Sequence, residues 1–401
     1  MFYKTHRIRT ATVHPIISSS EILWTLVIYS YSTMIRSHQY ATQSELSAQH
    51  RHSYRTNCEE WIEQQVKLNR VVTKIRAGDE SLGTVRIMQT YPTELSIGDF
   101  LRALNGCPFV QNLSFLGVRM PRRDAELLAM ALNHQSTGIQ TLSIRRLLPE
   151  CLLPLCQSLA HNTTLRELCL ILDSDVTEDA LCCLADAIKT NDSLKKLKIY
   201  SACWTPRAMD RLSQAIRASP KLRELSLIRG GITEIASLAA AVQSQNTMSI
   251  LDLSGNQLRD PISLGLLLRC SSLRELDLSS NNFGNTLAGT STVFDALHQN
   301  TTLRQLSLDM NPICESFAAR LLTSLQYNTA LVRLGIITAT LPSKCTKALT
   351  HVVASNKAGR GLIQTSCAVH EPLIPYVLSL AHKDLAVLYS LVQIRPDLYC
   401  Q

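Results

Sequence analysis

The 401-residue chain is long enough for two or three ordinary domains or one extended repeat array, and its formal charge of +8 is mild for that length. No run of five or six like charges occurs, which argues for a solvated surface and against a nucleic-acid footprint. Hydrophobic residues make up 45% of the chain but aromatics only 5%, so thin stacked layers of leucine and alanine fit better than one thick core.

Residues 1–57 carry Lys4, Arg7, Arg9 and Arg36 around the apolar stretch 22–35, and Glu21 is the only acid before Glu45. A disordered or irregular leader is the expectation, with a mitochondrial-type targeting segment as the alternative. A membrane anchor is disfavoured, because fourteen residues with two serines and two threonines fall short of the roughly twenty needed. Residues 58–81 then read as a helix that caps the array. Asn57 and Glu60 have capping-box spacing, and Trp61, Leu68, Val71, Val72 and Ile75 can cover a first strand.

From residue 82 to 356 a pattern L-x-x-L-x-L, with other aliphatics allowed, begins ten times. It starts at Leu82, Val110, Ile139, Leu165, Leu194, Leu222, Met248, Leu273, Leu303 and Leu331. The spacings are 28, 29, 26, 29, 28, 26, 25, 30 and 28 residues, the mark of an internal repeat. Within each unit the L-x-L core alternates as a short strand does. A stretch with apolar residues three and four apart follows, predicting a helix with one buried stripe. These stretches end at Asn162, Asn191, Asn246, Asn300, Asn328 and Asn356, and the asparagines are expected to adopt the left-handed geometry of a helix end. Thr205-Pro206 and Asp260-Pro261 mark two helix starts, a side-chain cap followed by proline at the first helical position. One strand and one helix per unit predict an α/β solenoid of about ten repeats, a horseshoe with parallel strands on its concave face and helices on its convex face. Residues 357–401 hold two short apolar helices, the second opened by Asp384, and are expected to form a helical C-terminal cap.

These units resemble the long leucine-rich repeats of ribonuclease inhibitor, Ran-GTPase-activating proteins and NOD-like receptors, with LDLSGNQL at 251–258 and LDLSSNNF at 276–283 nearest that pattern. The resemblance covers 82 to about 356. The asparagine that follows the strand in that family is present as Asn256, Asn281 and Asn311, while the same slot holds Thr90, Val118, Leu147, Asp173, Ala202, Gly230 and Ala339. An asparagine ladder is therefore expected through three repeats only, with a less regular N-terminal half.

Thirteen cysteines without C-x-x-C or paired Cys/His spacing give no zinc framework and suit a reduced, cytoplasmic chain. Four N-x-S/T matches occur at Asn112, Asn162, Asn191 and Asn300, but three of them arise from a junction the repeat itself requires. His134, His161 and His298 recur near helix ends, where the dipole favours them. No Gly-rich phosphate loop, H-E-x-x-H or G-x-S-x-G is present, so no catalytic residue, metal or cofactor is assigned. What remains is the concave face. Strand alternation places Arg86, Arg145, Lys196, Lys198 and Tyr200 there, followed by Glu224, Asp252, Glu275, Asp277 and Asp309. The face is basic first and acidic from Glu224 to Asp309, which suits a partner of opposite polarity. A monomeric, non-catalytic scaffold or adaptor that binds a protein there is the leading expectation. The alternatives are a small-GTPase regulator, which lacks the usual acidic tail here, and a ubiquitin-ligase substrate receptor, for which no F-box module is visible in 1–81. Inhibition of a secreted ribonuclease is disfavoured, because no contact residues transfer by motif.

Overall fold

A computed structural model describes residues 65–88, 96–173, 175–285, 287–337 and 341–361, and, near the C-terminus, 377, 379–381 and 384–394. The chain divides into two units, 1–62 and 63–401, and every described residue belongs to the second. The leader, the Asn57 and Glu60 box, Trp61, Thr90 and Ala339 lie outside the described residues.

Helix α1 runs over 65–76, and ten strand–helix units follow. They are β1 (Thr84–Met88) and α2 (Gly98–Leu104), β2 (Asn112–Leu116) and α3 (Arg122–Asn133), β3 (Thr141–Leu147) and α4 (Pro149–His161), and β4 (Glu167–Leu172) and α5 (Glu178–Thr190). Next come β5 (Lys196–Tyr200) and α6 (Pro206–Ala218), β6 (Glu224–Ile228) and α7 (Ala236–Gln245), and β7 (Ile250–Asp252) and α8 (Pro261–Leu268). The last units are β8 (Glu275–Asp277) and α9 (Ser291–Gln299), β9 (Gln305–Ser307) and α10 (Glu315–Tyr327), and β10 (Arg333–Gly335) and α11 (Ser343–Lys357), with α12 (Leu385–Ile394) beyond. All ten strands pair in chain order, each parallel to the next, in one sheet.

Register explains why the repeat spacing can vary while the core does not. The second leucine of every unit sits opposite its counterparts, from Val85 through Leu113, Leu142 and Leu168 to Leu306 and Leu334. Strand alternation turns these side chains toward the helices. There they join one continuous apolar core that reaches from Leu68 of α1 to Val353 of α11. Length differences are absorbed in the loops. Burying each such leucine is worth about 1.5–3 kcal/mol, and no single unit could do it alone. Leu68, Val72 and Ile75 of α1 are buried in that core, and at the other end Val387 and Leu391 of α12 form a separate cluster with Ala358, Val377 and Ala381. His351 of α11 and Ser390 of α12 meet at 2.8 Å. Among the described residues no helix is long and apolar enough to cross a membrane.

Two sets of asparagines tie neighbouring units together. Asn281 donates from Nδ2 to the carbonyls of Leu253 (2.9 Å) and Leu278 (3.0 Å), while its Oδ1 accepts from the Leu258 amide at 3.0 Å. Asn256 and Asn311 repeat this, so the expected three-repeat ladder is present. In the earlier units Val118, Leu147 and Ala202 fill the slot as fully buried apolar groups, and the register slips between Arg145 and Leu147.

The second set is the asparagines after the helices, and here the expectation of left-handed geometry needs correction. Only Asn246 is left-handed, at φ 53° and ψ 25°. Asn162, Asn191, Asn300 and Asn328 are extended, and Asn356 lies inside α11. Their side chains decide the matter. Asn191 donates to the carbonyls of Leu159 and Asn162 in the preceding unit and accepts from the amides of Ser193 and Leu194, where the next unit begins. An extended backbone aims the amide both ways at once. The two threonine- and aspartate-led helix starts behave as expected: Thr205 accepts from the Ala208 amide, and Asp260 from Ile262 and Ser263.

Candidate partner-binding face

The sheet face turned away from the helices is an array of three side-chain columns, one per outward strand position. The first runs Thr84, Asn112, Thr141, Glu167, Lys196, Glu224, Ile250, Glu275, Gln305 and Arg333. The second runs Arg86, Ser114, Ser143, Cys169, Lys198, Ser226, Asp252, Asp277, Ser307 and Gly335. The third begins Met88, Leu116, Arg145, Ile171, Tyr200 and Ile228, where the longer strands carry it. In the shorter strands it continues as Ser254, Ser279, Asp309 and Ile337, held in line by backbone bonds such as Gly255 to Ser279 and Met310 to Ile337. Neighbouring members of a column are about 4.8 Å apart, the spacing of paired strands.

All ten residues expected on this face lie on it, but they are not equally available. In the first column Lys196 bridges Glu224 at 3.1 Å and Glu167 at 3.4 Å, and the hydrogen bond to Glu224 leads in raising its pKa. Glu275 accepts from Gln305 at 2.8 Å, and Gln305 accepts from Arg333 at 2.8 Å. This column is engaged within itself, three carboxylates against two cations. Polarity therefore resides in the other two: Arg86, Arg145 and Lys198 in β1 to β5, then Asp252, Asp277 and Asp309 in β7 to β9 and the turn that follows.

The three aspartates differ in their commitments. Asp252 and Asp277 are register partners, and each accepts from the amide two residues on, Ser254 at 2.9 Å and Ser279 at 2.8 Å. Burial raises the Asp252 pKa, and the Asp277 charge raises it further. Asp309 accepts from the Ile337 amide at 2.6 Å and the Ser307 hydroxyl at 3.1 Å, so its carboxylate supports the turn after β10. Opposite them, burial lowers the Arg145 pKa and raises that of Tyr200, which stands among Cys169, Asp252 and Arg145. Cys169 is pushed up by burial, against a hydrogen bond to Ser143 and the charges of Lys198 and Arg145. The sign of the face changes across β6, where only Ser226 and Ile228 separate Lys198 and Tyr200 from Asp252.

Charge reasoning missed the apolar part. Leu116, Ile171 and Ile228 are half-buried and Met88 is 55% exposed, so the third column is a largely apolar stripe over the first six strands, interrupted by Arg145 and Tyr200. The second column beside it is low at Ser114, Ser143, Cys169 and Ser226 and longer at Arg86 and Lys198. The signal was available: the residue immediately after the third core position is aliphatic in four of those six repeats. Glu167 was missed as well, although it stands in register with Lys196. Among the described residues no group of three or more His, Cys, Asp or Glu is placed to hold a metal ion.

A family model described as Leucine Rich repeat matches residues 269–286. No curated protein matches the sequence. Among solved structures, human 5T4 (trophoblast glycoprotein) is similar at 20% identity and a TM-score of 0.43 over 67% of this chain and 91% of that one. Leiomodin-1 Actin-Binding Site 2 gives 17% and 0.33 over 38% and 90%, and the Caenorhabditis elegans tropomodulin C-terminal domain 16% and 0.30 over 45% and 93%. Likeness at this level says nothing about a partner. The family match falls on the unit that supplies β8 and Asn281, and the same leucine register holds from Val85 to Leu334, so the chain is built as a leucine-rich-repeat solenoid.

Proposed function

We propose that this chain is a non-catalytic docking scaffold that holds a protein partner on the open face of its strands. The observation that carries the reading is the half-exposed apolar stripe Leu116, Ile171, Tyr200 and Ile228, whose second-column neighbours are small except for Lys198 beside Tyr200. A sheet face with no partner has little reason to leave aliphatic side chains part-wet in register, whereas interface centres favour aliphatic and aromatic anchors with arginine. The fitting partner carries apolar residues with acids beside them for Arg86, Arg145 and Lys198, and a basic group for Asp252 and Asp277. Matched charge of this kind fixes orientation and speeds encounter.

The test compares two sets of variants in the full chain. Ile171→Ser with Lys198→Glu alters the open face, and Lys189→Glu with Arg217→Glu alters exposed positions on the helices α5 and α6. Affinity purification with quantitative mass spectrometry should show one set of proteins lost with the first pair and kept with the second. Retention by the open-face pair with loss by the helix pair would overturn the reading.

A further inference from the structure

The edge where the chain enters the strands carries a row of cations that the open face does not use. One residue ahead of the first column, Arg166, Lys195, Arg223, Arg274 and Arg304 hold the same place before β4, β5, β6, β8 and β9, and Ser249 fills it before β7. Backbone bonds fix the row. The Arg166 carbonyl accepts from the amides of Lys195 and Lys196 at 2.8 and 3.0 Å, and that of Lys195 from Arg223 and Glu224 at 2.8 and 3.1 Å. The same pair of bonds recurs from Arg223 through Ser249 and Arg274 to Arg304. Neighbours are therefore about 4.8 Å apart, and the row spans roughly 24 Å. Its cations lie 29, 28, 51 and 30 residues apart along the chain, so no run of like charge announces it.

The side chains are held in place without being neutralised. Arg166, Arg274 and Arg304 each donate from Nη1 to a carbonyl of the next unit, Ser193 at 3.1 Å, Thr302 at 3.0 Å and Ala330 at 3.0 Å. A carbonyl positions a guanidinium but leaves its charge and the rest of its fork open. Lys195, Arg223, Arg274 and Arg304 are exposed, as is Lys221 beside them. Among the described residues none of these cations is paired with a carboxylate. Glu167 and Glu224, one residue further on, are taken by Lys196. The first column thus alternates its charges and pairs them, whereas this row sets like charges in adjacent places, which works against the fold. Helix dipoles do not account for it, because its members stand at strand entries and not in the last turn of a helix. An anionic ligand does.

We propose that this edge binds an extended acidic segment of a protein partner. Consecutive acidic residues bring a carboxylate about every 3.4 Å, so a run of about seven spans the row and meets its cations without a fixed register. Arginine suits the task, since its planar fork can grip a carboxylate while one Nη stays on the carbonyl. Two other polyanions fit less well. Single-stranded nucleic acid binds through bases stacked on aromatic side chains, and the row contains none. A bilayer surface calls for apolar side chains beside the cations, where this row has Ser249.

The test follows the anisotropy of fluorescein-labelled octaglutamate on the full-length chain, with octaglutamine, an eight-nucleotide oligo-dT and phosphatidylserine vesicles alongside. Saturable binding of octaglutamate is expected, weakening as salt rises and absent with octaglutamine. Lys195→Glu with Arg223→Glu should raise its dissociation constant by about tenfold or more. The neutral pair Lys195→Gln with Arg223→Gln should give a smaller rise in the same direction, and circular dichroism checks that both fold. The same charge change at Arg122→Glu with Arg123→Glu, exposed on α3 and away from the row, should alter binding by less than about twofold at physiological salt. Absence of saturable binding, an equal response to octaglutamine, or an equal loss in the α3 pair would each overturn the proposal. Tighter binding of the oligonucleotide or the vesicles than of octaglutamate would overturn it too, by giving the row to another polyanion. Ile171→Ser on the open face should leave this titration unaltered, so the two sites can fail separately.

Discussion

Asn191→Asp changes one NH₂ group to oxygen and leaves shape almost untouched, which isolates the contribution of the asparagine rungs. Asn191 is 5% exposed. Its Nδ2 lies 2.7 Å from the Leu159 carbonyl and 2.8 Å from that of Asn162, and its Oδ1 lies 2.9 Å from the Ser193 amide and 2.8 Å from that of Leu194. Aspartate keeps the two accepted bonds and loses the two donated ones, leaving two buried carbonyls without that partner. The Asn162 carbonyl still accepts from the Ser193 hydroxyl at 3.1 Å, so only the Leu159 carbonyl is counted. At about 1–3 kcal/mol for an unmet buried group, the loss is roughly 1–3 kcal/mol, before adding the burial of a carboxylate facing two carbonyl oxygens. At acid pH, a protonated side chain can donate to one carbonyl again, so the loss should shrink. Urea unfolding followed by circular dichroism at pH 7 and pH 4 measures both. Because a solenoid is coupled only between neighbours, a weakened junction should also broaden or split the transition. The control is Asn112→Asp on the open face, where the side chain is exposed and donates to Thr84 Oγ1 at 3.2 Å; a change within about 0.5 kcal/mol is expected. A loss below about 1 kcal/mol at Asn191 at neutral pH would refute the claim that these rungs bind unit to unit.

Arg360 is buried and donates to the carbonyls of Leu325 (2.7 Å) and Asn328 (2.8 Å) at the end of α10; Arg360→Met should destabilise that end by about 2–4 kcal/mol, read as faster hydrogen exchange in α10 and α11 with α3 to α5 unchanged. Asp252→Asn keeps an acceptor for Ser254 and removes a charge disfavoured by burial and by Asp277. Its folded pKa is raised, so the fold holds this proton more tightly than the unfolded chain and ionisation weakens it. The variant should therefore be the more stable protein at neutral pH, with the difference vanishing as pH falls below the ordinary carboxylate range, as chemical denaturation across pH would show. Met310 is 67% exposed at φ 58°, a turn position that Gly255 fills in another unit; Met310→Gly relieves about 1 kcal/mol of left-handed strain and should raise the melting temperature.

Sequence alone determined the α/β class, the ten units and the direction in which each strand side chain points. The reason is physical: a two-residue alternation followed by a helical period, repeated at near-constant spacing, can bury its leucines only by stacking in parallel register. That argument needs no neighbour's identity, and it put all ten candidate residues on the face turned away from the helices. What only the tertiary structure decided is which of them are free, because commitment depends on the unit next door. Lys196 is neutralised by Glu167 and Glu224, 29 and 28 positions away, and Asp309 is engaged by Ile337, 28 positions on. The asparagines after the helices show the same division. Their recurrence is plain in the sequence, but local propensity suggested a left-handed helix end, while stacking makes them extended rungs between layers. The seat of the Trp204 indole is likewise a product of two units meeting, Gly230 of one making room for the tryptophan of the other.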